Sequence, residues 1–371
     1  MLIDCDFPGG NITVEKIDGD DVFVRQDLRD TEGDWFYWYF RVRGASGRKL
    51  RFHFTGSNVL GTRGPGISED GGMTWRWLGT GAVDGQSFVY EFAHDAAEVR
   101  FSFGMPYVQA DLDRFLAAHA DHIAVDALCK TRKGREVQTL RLGRLDARAD
   151  FRVLLTARHH CCEMMQSYVL EGMMAAMLGE DDLGRWFQAR VECLVIPFMD
   201  KDGVEDGDQG KNRRPRDHNR DYDGQSLHAE TAALRARVPR WSAGKLKVAI
   251  DLHCPWIRGD HHETIYLVGS DSPSHWQEQL RFSHSLQTLR TGSLPFFTAD
   301  NLPFGVAWNT AESYASGKSF GRWASELPGV QLATTIEFPY ANVGDLDTSP
   351  QLARVFGRDL ATALKGYLET R

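Results

Sequence analysis

The segment 157–163 reads Ala-Arg-His-His-Cys-Cys-Glu, and 251–253 reads Asp-Leu-His. Imidazole nitrogen and carboxylate oxygen are the donors that zinc takes, and a catalytic zinc holds three protein ligands while leaving a fourth position for water or substrate. His160 and Glu163 stand three residues apart on a turn entering a helix, so both can face one ion. His253, at the end of an apolar run, completes a set of two imidazoles and one carboxylate. His159 is the alternative to His160. The pair His261-His262 with Glu263 forms a rival set in a Gly/Asp loop expected to be solvated. The bland reading is a polar first helical turn, in which Glu163 favours the helix dipole.

Between the two half-sites lie 197–204 (Pro-Phe-Met-Asp-Lys-Asp-Gly-Val), 210–214 (Gly-Lys-Asn-Arg-Arg) and 217–222 (Asp-His-Asn-Arg-Asp-Tyr). A guanidinium fork matches a planar carboxylate with two parallel hydrogen bonds, so Arg220 with Asn219 suits an anionic chain end. The acidic run Asp200, Asp202, Asp206 and Asp208 hints at calcium, but it lacks the spacing and terminal Glu of an EF-hand loop. Late in the chain, 333–339 (Ala-Thr-Thr-Ile-Glu-Phe-Pro) places Glu337 at the end of a buried strand. There desolvation raises a carboxyl pKa toward the range of a general base.

These residues need a scaffold that ends its strands together. Apolar runs at 151–156, 193–199, 247–252, 264–268 and 331–338 read as buried strands, and 111–118, 163–178, 226–237, 274–289 and 352–369 read as helices. Such alternation predicts an α/β domain with a largely parallel or mixed sheet flanked by helices on both faces, whose ligands bind at the carboxyl ends of the strands. Before it, short β-type runs at 34–42, 49–54, 88–92 and 98–103, separated by Gly-rich breaks, predict an antiparallel β-sandwich. The expected division is 1–115 for the sandwich and 116–371 for the catalytic domain.

A chain of 371 residues is long enough for two cores. Its net charge of -8 disfavours nucleic-acid binding, and no run of about 18 apolar residues suggests a membrane span. The N-terminus lacks the pattern of an export signal, and the six cysteines show no paired spacing. A reduced, cytoplasmic protein is the expectation.

The ordered set of motifs resembles the zinc metallocarboxypeptidase family. Segment 157–163 is similar to its A-R-x-H-x-x-E segment, with Cys161-Cys162 in place of Pro-Gly, and 251–253 is similar to its third-ligand strand. The N-terminal runs 38–42, 67–75 and 103–107 resemble the sandwich of the cytosolic carboxypeptidase subgroup. The resemblance implies one zinc on His160, Glu163 and His253, in an eight-stranded-type mixed sheet. It further implies Glu337 as general base, Asn219 and Arg220 as the clamp on the C-terminal carboxylate, and Tyr314 as a mobile-loop contact. Arg214 is expected to polarise the scissile carbonyl, with Arg213 as competitor. The implied activity is hydrolysis of C-terminal residues, acidic glutamate-type ones among them, from peptides or proteins. For side-chain choice, Phe320 suggests an apolar pocket and Lys318 an acidic substrate. The alternative is a zinc-dependent amidase or deacylase acting on a small N-acyl amino acid. Oligomeric state stays open.

Overall fold

The computed structural model describes residues 1–371 apart from the side chain of Asp260. Ten strands precede the first long helix: β1 (Leu2–Asp4), β2 (Thr13–Asp18), β3 (Asp21–Arg25), β4 (Tyr39–Arg43), β5 (Lys49–Phe54), β6 (Gly66–Ser68), β7 (Arg76–Trp77), β8 (Val83–Asp84), β9 (Ser87–Glu91) and β10 (Glu98–Ser102). They form two five-stranded sheets, ordered β1-β4-β10-β6-β7 and β2-β3-β5-β9-β8. Every pairing is antiparallel except β3 with β5. Phe40 and Phe101 of one sheet meet Phe52 and Phe88 of the other in a fully buried aromatic cluster. Each such ring, removed from water, contributes about 1.5–3 kcal/mol, which is why alternate positions of these strands are aromatic.

Helix α1 (Gln109–Ala118) leads into the second layer system. It contains β11 (Ala124–Lys130), β12 (Glu136–Gly143), β13 (Phe151–Ala157), α2 (Met165–Leu178), α3 (Asp182–Arg190), β14 (Val191–Ile196), α4 (Lys201–Asp206), α5 (Ala229–Ser242), β15 (Leu246–His253), β16 (Tyr266–Val268), α6 (Pro273–Leu289), α7 (Phe320–Ser325), β17 (Leu332–Glu337) and α8 (Pro350–Leu368). The sheet is mixed and runs β11-β12-β14-β13-β15-β17-β16. Its middle strands β14, β13, β15 and β17 are parallel, and its edges are antiparallel. It has seven strands among the described residues where the resemblance implies eight, because the chain beyond β16 makes only a single bridge, Val268 with Leu302. The hairpin β11-β12 and helices α3 and α4 were not legible as elements in the sequence.

Successive residues of the central strands enter opposite cores. Val153, Leu155, Val195, Val248 and Ile250 pack on the side of α2 and α8, in a core continuous with that of the sandwich. Leu154, Leu194, Ala249 and Ala333 pack with Leu234 of α5 and Phe320 of α7. Burial on both faces explains the unbroken apolar runs. Helices α2 and α8 cross where a Cβ on Gly172 would lie 2.1 Å from the Arg354 carbonyl oxygen, so only glycine allows the approach. Among the described residues, no helix is long and apolar enough to cross a membrane.

Candidate active site

Strand pairing sets the site. Thr156 and Ala157 of β13 face Asp251 and Leu252 of β15, and His253 faces Glu337 of β17, so three parallel strands end at one level. Beyond Ala157 the chain turns through Arg158, held at φ 63° and almost fully buried. Its guanidinium donates to the carbonyls of Cys161 and Tyr107 and to Ser167 Oγ, fixing the loop that presents His160. Helix α2 begins at Met165, so His160 and Glu163 sit in the turn before it, joined by a Glu163 N–H to His160 carbonyl bond.

His160 Nδ1, His253 Nδ1 and the Glu163 carboxylate face one another within 4.8 Å. The two Nδ1 atoms are 3.2 Å apart, close to the roughly 3.3 Å that separates two atoms each about 2.05 Å from one tetrahedral ion. Glu163 Oε1 lies 2.9 Å from His160 Nδ1, and Oε2 lies 2.8 Å from His253 Nδ1. The outer nitrogens are both engaged: His160 Nε2 with Asp217 Oδ2 at 3.1 Å, and His253 Nε2 with Asp251 Oδ2 at 2.6 Å. Carboxylates on the far side place each ring proton on Nε2 and leave the Nδ1 lone pairs inward. Three lone-pair donors facing one another repel unless a cation joins them, so the donor set fits a metal ion. Burial works against charge on Glu163, but Lys211, followed by His160, outweighs it and holds the carboxyl well below its usual range.

The structure takes His159 out of the alternative ligand set. Its nitrogens engage Asp251 at 2.8 Å and the Tyr222 hydroxyl at 2.6 Å, so it supports the partner of His253. The cysteines replacing Pro-Gly face elsewhere: Cys161 donates to the Asp208 carbonyl, and Cys162 lies 3.9 Å from the Tyr340 hydroxyl. Burial pushes the Cys162 thiol up to about 12, which keeps it protonated. The acidic run makes ion pairs: Asp200 with Arg213, Asp202 and Asp206 with Arg135, and Asp208 with Arg29 and Arg213.

A cavity of about 320 Å³ opens over the donor cluster, bounded by His160, Glu163, Glu337, Lys211, Asp217 and Arg220 on its polar side and by Trp35, Trp256 and Trp308 on its apolar side. His262, expected in solvent, also lines it and is half-buried. Glu337 is buried, and its Oε2 finds no hydrogen-bond partner among the described residues. Burial raises its pKa to about 7, with His253 opposing and Glu163 reinforcing the shift. Arg220 is held by the carbonyls of Ser313 and Asn219, with its guanidinium 4.9 Å from the ring of Tyr314. Asn219 turns inward: its Oδ1 accepts from the Phe320 N–H, and its Nδ2 lies 3.3 Å from His253 Nε2. Tyr314 donates to Asn309 Oδ1 and lines a smaller neighbouring cavity with Asp271 and Arg322.

Neither expected carbonyl-polarising arginine borders the large cavity. Arg214 points outward, with 68% of its side chain exposed, and pairs with Glu32. Arg213 is buried among Asp30, Asp200 and Asp208 at 3.5, 2.5 and 3.0 Å. Besides Arg220, the cation that does border it is Lys211, which was not singled out from the sequence. Its Nζ is 2.8 Å from Glu163 Oε1 and 3.0 Å from the Cys254 carbonyl oxygen. Asp217 and Asp251, which engage the outer nitrogens of His160 and His253, were likewise not singled out from the sequence. The signal available for Asp217 was its place two residues before Asn219.

No family model matches the chain. Among solved structures it is similar to a metallo-carboxypeptidase from Burkholderia cenocepacia, with TM-score 0.81 and 20% identity over 100% of this chain and 99% of that one. A metallo-carboxypeptidase from Pseudomonas aeruginosa, in complex with (2-guanidinoethylmercapto)succinic acid, has TM-score 0.79 and 19% identity over 100% and 99%. Cytosolic carboxypeptidase 2 of Mus musculus is 28% identical over 331 residues, covering 76% of this chain and 37% of its own. The chain spans between about a fifth and about half of the first curated relatives it matches. It therefore has the metallo-carboxypeptidase fold, both sheets of the N-terminal sandwich included, and a distant likeness to cytosolic carboxypeptidases.

Proposed function

We propose that this chain is a zinc metallocarboxypeptidase that hydrolyses the last peptide bond of a peptide or protein, in a reducing, cytoplasmic setting. One observation carries the reading: two Nδ1 atoms and a carboxylate converge 3.2 Å or less from one another beside a buried, unpartnered carboxyl, in a cavity that also holds an arginine. His160, Glu163 and His253 would hold the ion, which when bound supplies Lewis acidity toward water and the amide carbonyl.

The remaining work falls to side chains. Arg220 offers the terminal carboxylate a fixed fork, its backbone contacts to Ser313 and Asn219 leaving it little freedom to lose. Asn219 acts behind it, its Oδ1 tying the clamp to the Phe320 N–H. Tyr314 closes on the bound end if its loop moves toward Arg220, whose guanidinium already lies over its ring. The Glu337 carboxylate accepts a proton from water as the C–O bond forms, then returns it to the amine nitrogen as the C–N bond breaks, leaving a free amino acid and a shortened chain. A pKa near 7 suits both transfers.

A preference for acidic terminal residues is supported by Arg322, which lines the cavity beyond Tyr314, with Lys318 on the adjoining surface. Arg322 is paired with Asp271 at 2.8 Å, so an acidic side chain would have to compete for it. The test is a set of peptides ending in Glu, Asp, Leu, Phe or Lys, each as free acid and as amide, with the zinc-loaded protein. Release of the last residue from free acids only, led by Glu, is the expected result. Cleavage of the amides at equal rates removes the carboxypeptidase reading.

A further inference from the structure

The chemistry proposed above lacks a side-chain cation at the scissile carbonyl, since Arg213 and Arg214 are both directed elsewhere. We propose that Lys211 is the catalytic residue that polarises this carbonyl, and that the N-terminal segment from Asp30 to Trp35 positions it; the assignment rests on the carboxypeptidase reading.

An ammonium carries three N–H groups. Described groups engage two of those on Lys211, the Glu163 carboxylate and the Cys254 carbonyl, leaving one for a substrate oxygen. Nζ borders the same cavity as Glu337 and Arg220, so a peptide anchored by Arg220 presents its carbonyl between a proton acceptor and a positive charge. A charge fixed where an oxyanion develops, in a cavity walled by tryptophans, acts through a lower dielectric than water and needs little reorganisation.

What fixes it comes from the far end of the chain. Asp30 accepts the N–H groups of Gln209 and Gly210 at 3.0 and 2.9 Å, and its carbonyl accepts the N–H of Arg214. Thr31 Oγ1 donates to the Lys211 carbonyl, Thr31 bridges Arg213, and the Glu32 N–H donates to the Asn212 carbonyl. The ring of Trp35 lies 5.3 Å from Nζ and packs against Trp256 at 5.0 Å. Beneath the lysine, Gly210 has φ 78°, and a Cβ there would come within 2.5 Å of the Cys161 nitrogen, so the loop sits against the metal-site turn. Lys211 is thus clamped from both sides, by the sandwich and by the turn that carries His160.

The test uses the zinc-loaded full chain and its Lys211→Met, Lys211→Arg and Asp30→Asn variants, with three readouts. They are turnover of a free-acid peptide, zinc stoichiometry, and affinity for a phosphinic peptide, whose tetrahedral anion resembles the developing oxyanion. Lys211→Met should lower kcat about 10²–10³-fold with KM nearly unchanged, weaken the phosphinate by a similar factor, and keep one zinc per chain. Lys211→Arg should recover most of both losses. Asp30→Asn should lower kcat in the wild-type background and add little to Lys211→Met, as expected for a group acting through the lysine. A Lys211→Met protein that turns over and binds phosphinate within threefold of wild type overturns the proposal. So does one that loses its zinc, since the lysine would then serve Glu163 alone. If wild type cleaves no peptide, the carboxypeptidase reading fails separately, and phosphinate binding still decides the role of Lys211.

Discussion

Replacing Asp217 by asparagine tests the metal centre without reference to turnover. Asp217 Oδ2 accepts from His160 Nε2 at 3.1 Å, and Oδ1 accepts the Asn219 N–H at 2.7 Å. His160 draws the Asp217 carboxyl far below its usual range against the opposing effect of burial, so the acceptor is a full negative charge. In Asp217→Asn, Oδ1 can keep the Asn219 bond, while the Asn212 N–H, 3.3 Å from Oδ2, loses its acceptor. The amide nitrogen then faces His160 Nε2 and makes it an acceptor, which moves the ring proton to Nδ1, the atom that faces His253 and Glu163. Zinc binding must now displace that proton or turn the ring. Loss of such a supporting carboxylate costs 10–100-fold in metal affinity, about 1.4–2.7 kcal/mol. Competition titration against a chelator of known affinity measures it directly. Thermal unfolding of the metal-free proteins shows whether the turn survives. Zinc affinity within threefold of wild type, with His160→Ala abolishing binding, would refute the tautomer argument. If His160→Ala also left affinity unchanged, the whole ligand set would fall.

Glu337→Gln should bind one zinc with normal affinity and lose turnover by at least 10²-fold in a peptide-release assay; retained turnover removes Glu337 as the base. Arg220→Ala should raise KM for free-acid peptides about 10–150-fold, the value of a charged hydrogen-bonded contact, while leaving zinc stoichiometry alone. Glu230 is a stability prediction. Burial, reinforced by Asp200 and Asp202 and opposed by its own backbone N–H, raises its pKa to about 7 from the ordinary 4.5. The folded state therefore holds this proton more tightly than the unfolded chain. That contribution is complete below about pH 4.5 and is lost as pH rises through 7. Glu230→Gln should accordingly stabilise the protein by about 1–3 kcal/mol at pH 8.5 and by little at pH 4.5, read from denaturant melts. Equal effects at both pH values would show that Glu230 is not held neutral.

The parts of this molecule that could be read from sequence share a physical property: their environment is set locally. The centres of such runs, 153–155 and 248–250, are apolar at every position because helical layers cover both faces, and burial on both faces needs no distant information to be recognised. The ends of those strands then located His160, Glu163, His253 and Glu337 together. The hairpin β11-β12 escaped because β11 is an edge strand exposed over most of its length, so its composition follows solvent rather than a core. The orientation of the two arginines was hidden for a different reason. Adjacent residues of an irregular loop point in opposite directions, and which of Arg213 and Arg214 turns inward depends on Asp30, Asp200 and Asp208, one of them about 180 residues away. A charge taken out of water must be matched, and the acidic run that hinted at calcium divides between two guanidinium groups, Asp200 and Asp208 on Arg213 and Asp202 and Asp206 on Arg135. With Arg213 committed to that network, the residue of this loop whose charge borders the cavity is Lys211. Lys211, whose partners Glu163 and Trp35 lie about 50 and about 180 residues before it in the sequence, becomes visible only when the sandwich and the mixed sheet are folded against each other.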